Sequence, residues 1–256
     1  MSPQIHRFPL AFALGALLAA GLNAQVTAGA LFAVVKMRTT LGMCSGFRLA
    51  LPPKLYLVTA RHCVPTGPGE RRFEIWKDEK WVQSQGSFIF PGNAEVDIAA
   101  VELTDKILGD RGLPWGGGVQ IGGPVYFLGY PSNLATRGKV PAPAGFGEIP
   151  FVKAGVLSAI DARQEDRMVH YIDGHNNSGF SGGPIVHRSA ESGQYRVFAV
   201  VSGYRAETAA VLKSRDLQRP DAKAYEDLFV RSNSGIVVGY SVKHIVDAIN
   251  AQSKVP

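Results

Sequence analysis

Short apolar runs, rich in β-branched and aromatic residues, recur along most of this sequence and are separated by glycine and proline. The first of them are residues 31–37 (LFAVVKM), 42–50 (GMCSGFRLA) and 55–60 (LYLVTA). Runs of this kind, bounded by turn residues, are typical of β-strands. The 29 glycines and 16 prolines are spread along the chain, which favours many short strands over long helices. We therefore predict an all-β fold.

The runs fall into two groups of about six, on either side of a glycine-rich connector at 109–124 (GDRGLPWGGGVQIGGP). Two segments interrupt this pattern. Residues 132–150 are rich in Pro and Gly, and residues 206–234 form a polar insertion with some helical character at 221–230 (DAKAYEDLFV). Irregular segments this long are usually functional or mobile.

The last apolar pattern has a different period. Val242, Ile245, Val246 and Ile249 are spaced as one face of a helix, and Ser241 is suited to cap its start. The sequence thus predicts a single C-terminal α-helix after the strands.

The first 24 residues have the layout of a secretory signal peptide. Arg7 precedes an apolar stretch from Phe8 to Leu22, and a small residue, Ala24, offers a cleavage position. These 15 apolar residues are fewer than the roughly 20 needed to span a membrane, so a cleaved signal is favoured over a membrane anchor. We predict a signal peptide at 1–24 and a protein exported to the periplasm or secreted, with no stable membrane insertion.

The charge and the cysteine content limit which ligands and cross-links are expected. The formal net charge is +6, but no stripe of Lys and Arg alternates with aromatic residues, so nucleic acid is not predicted as a partner. In an exported protein the only two cysteines, Cys44 and Cys63, most simply form one disulfide. They lack the spacing of metal ligands with the scattered histidines, so no metal site is predicted.

Three stretches carry residues suited to nucleophilic catalysis by serine. Such catalysis needs a base beside the hydroxyl and a carboxylate that orients the base. His62 follows a predicted strand in LVTARHCV and lies next to a cysteine, which favours it over the other histidines as the base. Asp97 lies inside an apolar run, EVDIAAVEL, where a carboxylate is costly to bury unless it accepts a hydrogen bond, as from a histidine.

The stretch 176–186 (NNSGFSGGPIV) contains two serines, of which Ser181 is the predicted nucleophile and Ser178 a loop residue. Glycines on both sides of Ser181 allow a sharp turn in which backbone N–H groups converge. The amides of Gly179 and Ser181 are therefore predicted to form the oxyanion hole.

The motifs TARHC, VDIAAVEL and GFSGGP, in this order, resemble the three catalytic blocks of the trypsin/chymotrypsin-like serine peptidases, particularly their compact bacterial exported branch. The resemblance covers the chain beyond the signal. It implies two six-stranded antiparallel β-barrels, at 25–120 with the His and Asp and at 121–256 with the Ser and the C-terminal helix. It also implies that the Cys44–Cys63 disulfide braces the histidine turn, and that Val201, Ser202 and Gly203 lie on the strand that pairs with substrate.

The sequence departs from this family at two positions. Animal trypsins have Asp immediately before the nucleophile, where it receives a newly cut N-terminus, but here that residue is Phe180. We therefore expect activity without an activating cleavage beyond signal removal. The residue six before the nucleophile, acidic in trypsins, is His175, so His175 is a candidate substrate-binding residue and Lys/Arg specificity is not implied.

Together these observations predict an exported serine endopeptidase acting on proteins or peptides, without metal or cofactor. The alternative is a non-catalytic member of the same fold that binds peptides or proteins through the same cleft. An esterase with the same triad is disfavoured because the sequence lacks alternating strands and helices around a G-x-S-x-G motif.

Overall fold

The computed structural model describes residues 26–253 except 68, 104–110, 133, 135–137, 140–145 and 213–223. The predicted signal peptide at 1–24 lies outside the described residues. The described chain consists mainly of β-strands, with two short α-helices and one 3₁₀ turn, which confirms the all-β prediction. Neither helix in this part of the chain is long and apolar enough to cross a membrane.

The first half of the chain forms an antiparallel sheet of seven strands in the order β5-β4-β1-β2-β3-β7-β6. The strands are β1 Val34–Thr39, β2 Gly42–Leu51, β3 Lys54–Thr59, β4 Arg71–Lys77, β5 Lys80–Gly86, β6 Phe88–Ile89 and β7 Ala99–Glu102. The sheet is strongly curled, since a Cβ at Gly86 in β5 would collide with Val101 in β7. One strand more than predicted is present, because the two-residue β6 is separate.

Helix α1, Ala28–Ala33, precedes the sheet and corrects the predicted strand at 31–37. Residues 31–33 belong to the end of this helix, and the strand begins only at Val34. The sequence AGALFA consists largely of alanine and other residues that tolerate a helix, whereas β-branched residues start at Val34. The change in composition thus coincides with the change in structure.

The second half is a closed six-stranded barrel in the order β11-β12-β15-β14-β13-β8, as predicted. Its strands are β8 Pro124–Gly129, β11 Phe151–Asp161, β12 Val169–Asp173, β13 Pro184–Arg188, β14 Tyr195–Leu212 and β15 Ala224–Ser241. Between β8 and β11, two short strands, β9 Gly138–Lys139 and β10 Phe146–Gly147, pair with each other inside the predicted Pro/Gly segment.

The predicted helical character at 221–230 is wrong for the described part of that segment. Strand β15 starts at Ala224 and pairs with β14 far beyond the barrel, from Ala206 opposite Asn233 to Leu212 opposite Ala224. The described parts of the insertion, 206–212 and 224–233, therefore form a two-stranded β-ribbon, which we call the 206–233 ribbon. Hydrogen bonding to the neighbouring strand outweighs the weak helical preference of the sequence.

Helix α2, Lys243–Gln252, is the predicted C-terminal helix. Its apolar stripe is buried as expected, with Ile245 fully buried and Ile249 only 3% exposed. Ser241 caps the helix only weakly. The N-cap residue is Val242, and the Ser241 hydroxyl accepts a long hydrogen bond of 3.4 Å from Lys243 N.

The two halves share a hydrophobic core and a backbone connection. One buried cluster contains Phe47 of β2, Leu128 of β8 and Ile245 of α2. In the glycine-rich connector, Leu113 exchanges backbone hydrogen bonds with β2, and the residues around Trp115 do the same with β14. The connector thus fixes the two sheets against each other.

Candidate active site

His62 lies in the 3₁₀ turn Arg61–Cys63, directly after β3. The disulfide between Cys44 of β2 and Cys63 fastens this turn to the sheet, with 6.2 Å between the Cα atoms, and confirms the predicted pairing. The Thr39 hydroxyl also donates a 2.8 Å hydrogen bond to the Cys63 carbonyl. The histidine is therefore carried by a braced turn, with its side chain 52% exposed.

Asp97 lies just before β7, between the fully buried Val96 and Ile98. Its Oδ1 accepts a hydrogen bond from the backbone N–H of His62 at 2.9 Å. Its Oδ2 accepts one from Nδ1 of the His62 ring at 2.7 Å and one from the Ser202 hydroxyl at 2.5 Å. These three bonds satisfy the carboxylate and leave Nε2 as the free nitrogen of the ring.

The pairing moves both pKa values in the direction that favours the ionised pair. The hydrogen bond to Asp97 raises the pKa of His62 above its ordinary value, against partial burial, which lowers it. Burial opposes ionisation of Asp97, but the hydrogen bonds from His62 and Ser202 outweigh it and lower the pKa of the carboxyl. Asp97 is thus an ionised acceptor that stabilises a protonated His62 ring.

Ser181 occupies the tight turn before β13. Gly182, which follows it, has a φ of +83°, and a Cβ there would collide with the carbonyl of Ser45 and the hydroxyl of Thr59. Only glycine fits this approach to the N-terminal sheet. The turn therefore places Ser181 against the half of the molecule that carries His62.

Ser202 of β14 connects the serine to the acid. The Ser181 hydroxyl donates a 3.1 Å hydrogen bond to the Ser202 carbonyl, and the Ser202 hydroxyl binds Asp97. In this structure the Ser181 hydroxyl is bonded to that carbonyl rather than to the His62 ring. Ser181, His62 and Asp97 are thus brought into one site.

The loop 175–181 has every backbone carbonyl oriented toward a donor. The bonds are Lys153 Nζ to His175 O (2.6 Å), Asn233 Nδ2 to Asn176 O (2.8 Å), Phe180 N to Asn177 O (3.2 Å), Ser132 N to Ser178 O (2.9 Å), Ser45 Oγ to Gly179 O (2.7 Å), Gly183 N to Phe180 O (2.9 Å) and Ser45 N to Ser181 O (2.9 Å). By contrast, the amides of Gly179 and Ser181 donate to no acceptor within the described chain. Two N–H groups beside the serine are therefore left for a ligand.

Phe180 fills the interior beneath this loop. It is fully buried in the C-terminal barrel, and its ring packs edge-to-face on Phe127 of β8 with 5.8 Å between the centroids. Apolar packing thus anchors the residue that precedes Ser181, at the position where animal trypsins have an aspartate.

The remaining predicted substrate residues have different surroundings. His175 is exposed, and its carbonyl faces Lys153. Val201 is fully buried, and its N–H and C=O are bonded to Gly183 and Gly182, so its contacts hold the serine turn and leave no group for substrate. Gly203 lies on β14, and the position that a Cβ would occupy there is open space.

An edge of β14 is open beside the serine. Strand β13 pairs with β14 only as far as Pro184 opposite Val200, and the last backbone contacts of the serine turn are with Val201. From Ser202 onward, β14 keeps β15 as its neighbour, while the side that faced β13 has no paired strand among the described residues. An extended peptide could add to this edge.

Two residues of the site carried no signal in the sequence. Ser45 of β2 and Lys153 of β11 each bond to carbonyls of the loop 175–181. Neither lies in a motif, and their contacts arise only from folding. A serine directly after Cys44 was the nearest available hint for Ser45, because the predicted disulfide places it beside the histidine turn.

One group of three potential metal ligands occurs in the described chain, formed by Cys44, His62 and Cys63. The two sulfurs are joined in the disulfide and provide no thiolate, and Nδ1 of His62 is bonded to Asp97. This donor set does not suit a metal ion.

Comparison with known proteins identifies the family to which the chain belongs. The model of the trypsin-like peptidase domain matches residues 44–192, more than half of the chain and a range that includes His62, Asp97 and Ser181. The chain therefore belongs to the trypsin-like peptidase domain family and is a serine peptidase. A search of curated proteins found no match.

Solved structures share the fold at low sequence identity. The protease Rv3671c of M. tuberculosis, in its inactive form, is 18% identical with a TM-score of 0.54, covering 91% of this chain and 94% of that one. The protease Anisep of Arthrobacter nicotinovorans is 21% identical with a TM-score of 0.51, covering 86% and 95%. The HtrA-type protease AlgW, bound to a decapeptide, is 14% identical with a TM-score of 0.55, covering 91% and 68%.

Proposed function

We propose that this protein is an exported endopeptidase in which Ser181 is the nucleophile, His62 the general base and Asp97 the residue that orients the base. The observation that carries the proposal is the double acceptance by Asp97 of the backbone and ring N–H groups of His62, with Ser202 connecting the same carboxylate to Ser181. This arrangement fixes the ring tautomer with Nε2 unprotonated, which is the form that accepts a proton from serine.

The reaction follows from these positions. When a peptide enters, the Ser181 hydroxyl turns about χ1 from the Ser202 carbonyl to Nε2 of His62, and such bonds commonly form only in the substrate complex. Oγ attacks the peptide carbonyl while Nε2 takes the proton. His62 then returns the proton to the leaving amine, and the resulting acyl-enzyme is hydrolysed by water in the reverse sequence.

The amides of Gly179 and Ser181 are proposed to bind the oxyanion. Their N–H groups have no acceptor within the described chain, whereas the carbonyls of the loop 175–181 are all occupied. The loop is thus fixed with these donors available before substrate arrives, which is the condition for electrostatic stabilisation of the transition state. A donor of this kind contributes on the order of a hundred- to thousandfold to the rate.

Labelling with a fluorophosphonate tests the triad. Residues 25–256 should be modified on Ser181 and should hydrolyse fluorescent casein, and the S181A variant should do neither. The S178A variant is the matched control and should react like the wild type. A folded wild type that binds casein peptides but is neither labelled nor active would overturn the proposal in favour of the non-catalytic alternative.

Export is supported by the signal-like sequence of residues 1–24 and by the Cys44–Cys63 disulfide, which is typical of oxidising compartments. Full-length protein expressed in a Gram-negative host should be recovered from the periplasm or medium with residue 25 as its N-terminus. Retention in the cytoplasm with residues 1–24 intact would contradict export.

Activation and specificity follow from two residues. Because Phe180 is packed against Phe127, the loop needs no inserted N-terminus, so residues 25–256 should be active without further cleavage. Cleavage profiling with an unbiased peptide library should show no dominant preference for Lys or Arg, since His175 stands where trypsins have an acid. Activity that appears only after a second N-terminal cleavage would contradict the expectation from Phe180. A cleavage profile dominated by Arg or Lys would contradict the expectation from His175.

A further inference from the structure

The loop 175–181 must keep its carbonyls turned away from the proposed oxyanion hole. Four residues outside the loop and its immediate turn hold them in that orientation: Ser45, Ser132, Lys153 and Asn233. Of these, Lys153 is the charged one. It differs from the other three because a single atom, Nζ, bonds to two residues of the loop and lies over the aromatic ring of a third.

Lys153 lies on β11, opposite Phe127 of β8, and its side chain is half-buried. Its Nζ donates a 2.6 Å hydrogen bond to the His175 carbonyl and a second bond to the side-chain oxygen of Asn177. The same Nζ lies 5.3 Å from the centroid of the Phe180 ring. One ammonium group therefore contacts three residues of the segment that leads to Ser181.

The chemistry of the loop suits a cation at this point. The sequence GHNNSGFSGG at 174–183 contains no carboxylate, and Lys153 forms no ion pair within the described chain. Its charge is instead stabilised by a carbonyl dipole, an amide oxygen and the face of an aromatic ring. Burial lowers the pKa of Lys153, as expected for an ammonium whose partners are neutral.

We propose that Lys153 is a positioning residue for the oxyanion hole. By holding His175, Asn177 and Phe180 together, it fixes the direction of the Gly179 and Ser181 amides without touching the reacting atoms. This inference rests on the proposed function of those amides. It assigns to a lysine on the barrel wall the task that a buried, charged N-terminus performs in animal trypsins.

The test uses residues 25–256 with three substitutions. K153M removes the donors and the charge while keeping an unbranched side chain, and K153R keeps the charge and the donors. K80M is the matched control, since Lys80 is exposed on the first sheet. Each protein is measured by hydrogen–deuterium exchange of the peptide covering 175–182 and by its rates of fluorophosphonate labelling and casein hydrolysis.

In K153M we expect faster exchange in this peptide and a decrease of about ten- to a hundredfold in labelling rate and kcat, because a displaced donor loses most of its contribution. K153R should recover at least part of the exchange protection and of the activity, and K80M should match the wild type in each measurement. The pH midpoint of activity should not move in K153M, because His62 and Asp97 are held by other contacts. A merely structural role would lower the melting temperature without changing kcat at low temperature.

Two results would overturn the inference: unchanged exchange in K153M, or faster exchange with unchanged labelling and hydrolysis. A wild type that is not labelled at all would refute the proposed function, and exchange would then still establish whether Lys153 holds the loop. The two failures are therefore distinguishable.

Discussion

In the N-terminal sheet, His62 and Asp97 are held mainly by side-chain contacts, namely the hydrogen bonds of the Asp97 carboxylate and the disulfide that braces the histidine turn. In the C-terminal barrel, by contrast, Ser181 is held mainly through the backbone, because the carbonyls of the loop 175–181 bond to donors around it. The proposed acid–base pair thus depends on a few strong contacts. The proposed nucleophile and the two amides beside it depend on many moderate contacts. Substitutions in the first set should change the chemistry sharply, while substitutions in the second should change it gradually.

The largest effect is expected at the proposed nucleophile, Ser181, which belongs to the C-terminal half. S181A removes the attacking oxygen and should lower kcat by about a millionfold. Its circular dichroism spectrum and melting temperature should remain close to those of the wild type, because the hydroxyl makes a single hydrogen bond. Residual activity within a hundredfold of the wild type would refute the role of Ser181.

The next largest effect is expected in the N-terminal half. D97N should lower kcat by about ten-thousandfold, because an amide can stabilise the wrong tautomer of His62 and cannot stabilise the imidazolium. D78N, at the exposed turn between β4 and β5, is the control and should retain full activity. A D97N variant with kcat near that of the control would show that the acid–base pair is not used.

A smaller effect is expected where the halves meet. Ser45 lies on the first sheet, yet its hydroxyl bonds to the Gly179 carbonyl at 2.7 Å and accepts from Tyr130 N at 2.8 Å. S45A leaves both buried groups without this partner and should lower the free energy of unfolding by about 1–3 kcal/mol. The loosened loop should also lower kcat by roughly tenfold, because a misplaced oxyanion donor loses part of its contribution to the rate.

The control for S45A is S189A, a buried serine that lies in the turn after β13. This substitution should lower the free energy of unfolding measured in urea. It should leave kcat for casein hydrolysis unchanged. If S45A and S189A behave alike, the hydroxyl of Ser45 supports the fold but not the site.

The smallest effect is a titration, best followed by NMR of the histidine rings in S181A. His62 should titrate above the ordinary value, because its hydrogen-bonded carboxylate favours the charged ring, so activity of the wild type should rise with pH through that pKa. Burial lowers the pKa of His187 and His244, and that of His170 to about 4. A His62 titration below those of His187 and His244 would contradict the ion pair.

The pKa shifts of His62 and His170 also determine how each residue makes the stability of the fold depend on pH. The raised pKa of His62 stabilises the fold at low pH, and that contribution is lost as the pH rises through the folded-state pKa. His170 acts in the opposite direction. Because the unfolded chain takes up its proton near 6.5 and the folded one only at about 4, His170 lowers the stability as the pH falls between these values.

The residues of the proposed triad could be predicted because each leaves a local trace in the sequence. His62 follows a strand and precedes a cysteine, Asp97 interrupts an apolar run, and Ser181 is surrounded by glycines. The order of the three motifs then matched that of a known family. The same local signals predicted most strands and the C-terminal helix.

Contacts between distant parts of the chain could not be predicted. Ser45 and Gly179 are 134 residues apart, and Lys153 lies on a strand whose neighbours are known only once the barrel is closed. The helical prediction at 221–230 is wrong for the same reason, because the strands of the 206–233 ribbon are defined by pairing with each other. Local preference decides little where a partner strand is present.

The connector between the halves has a consequence for how the protein unfolds. Leu113 pairs with the first sheet and the residues around Trp115 with the second barrel, and Ser45 crosses the same boundary. Neither half can melt without breaking hydrogen bonds that the other half also uses. Unfolding should therefore be a single cooperative transition, with one calorimetric peak whose enthalpy equals the van't Hoff enthalpy.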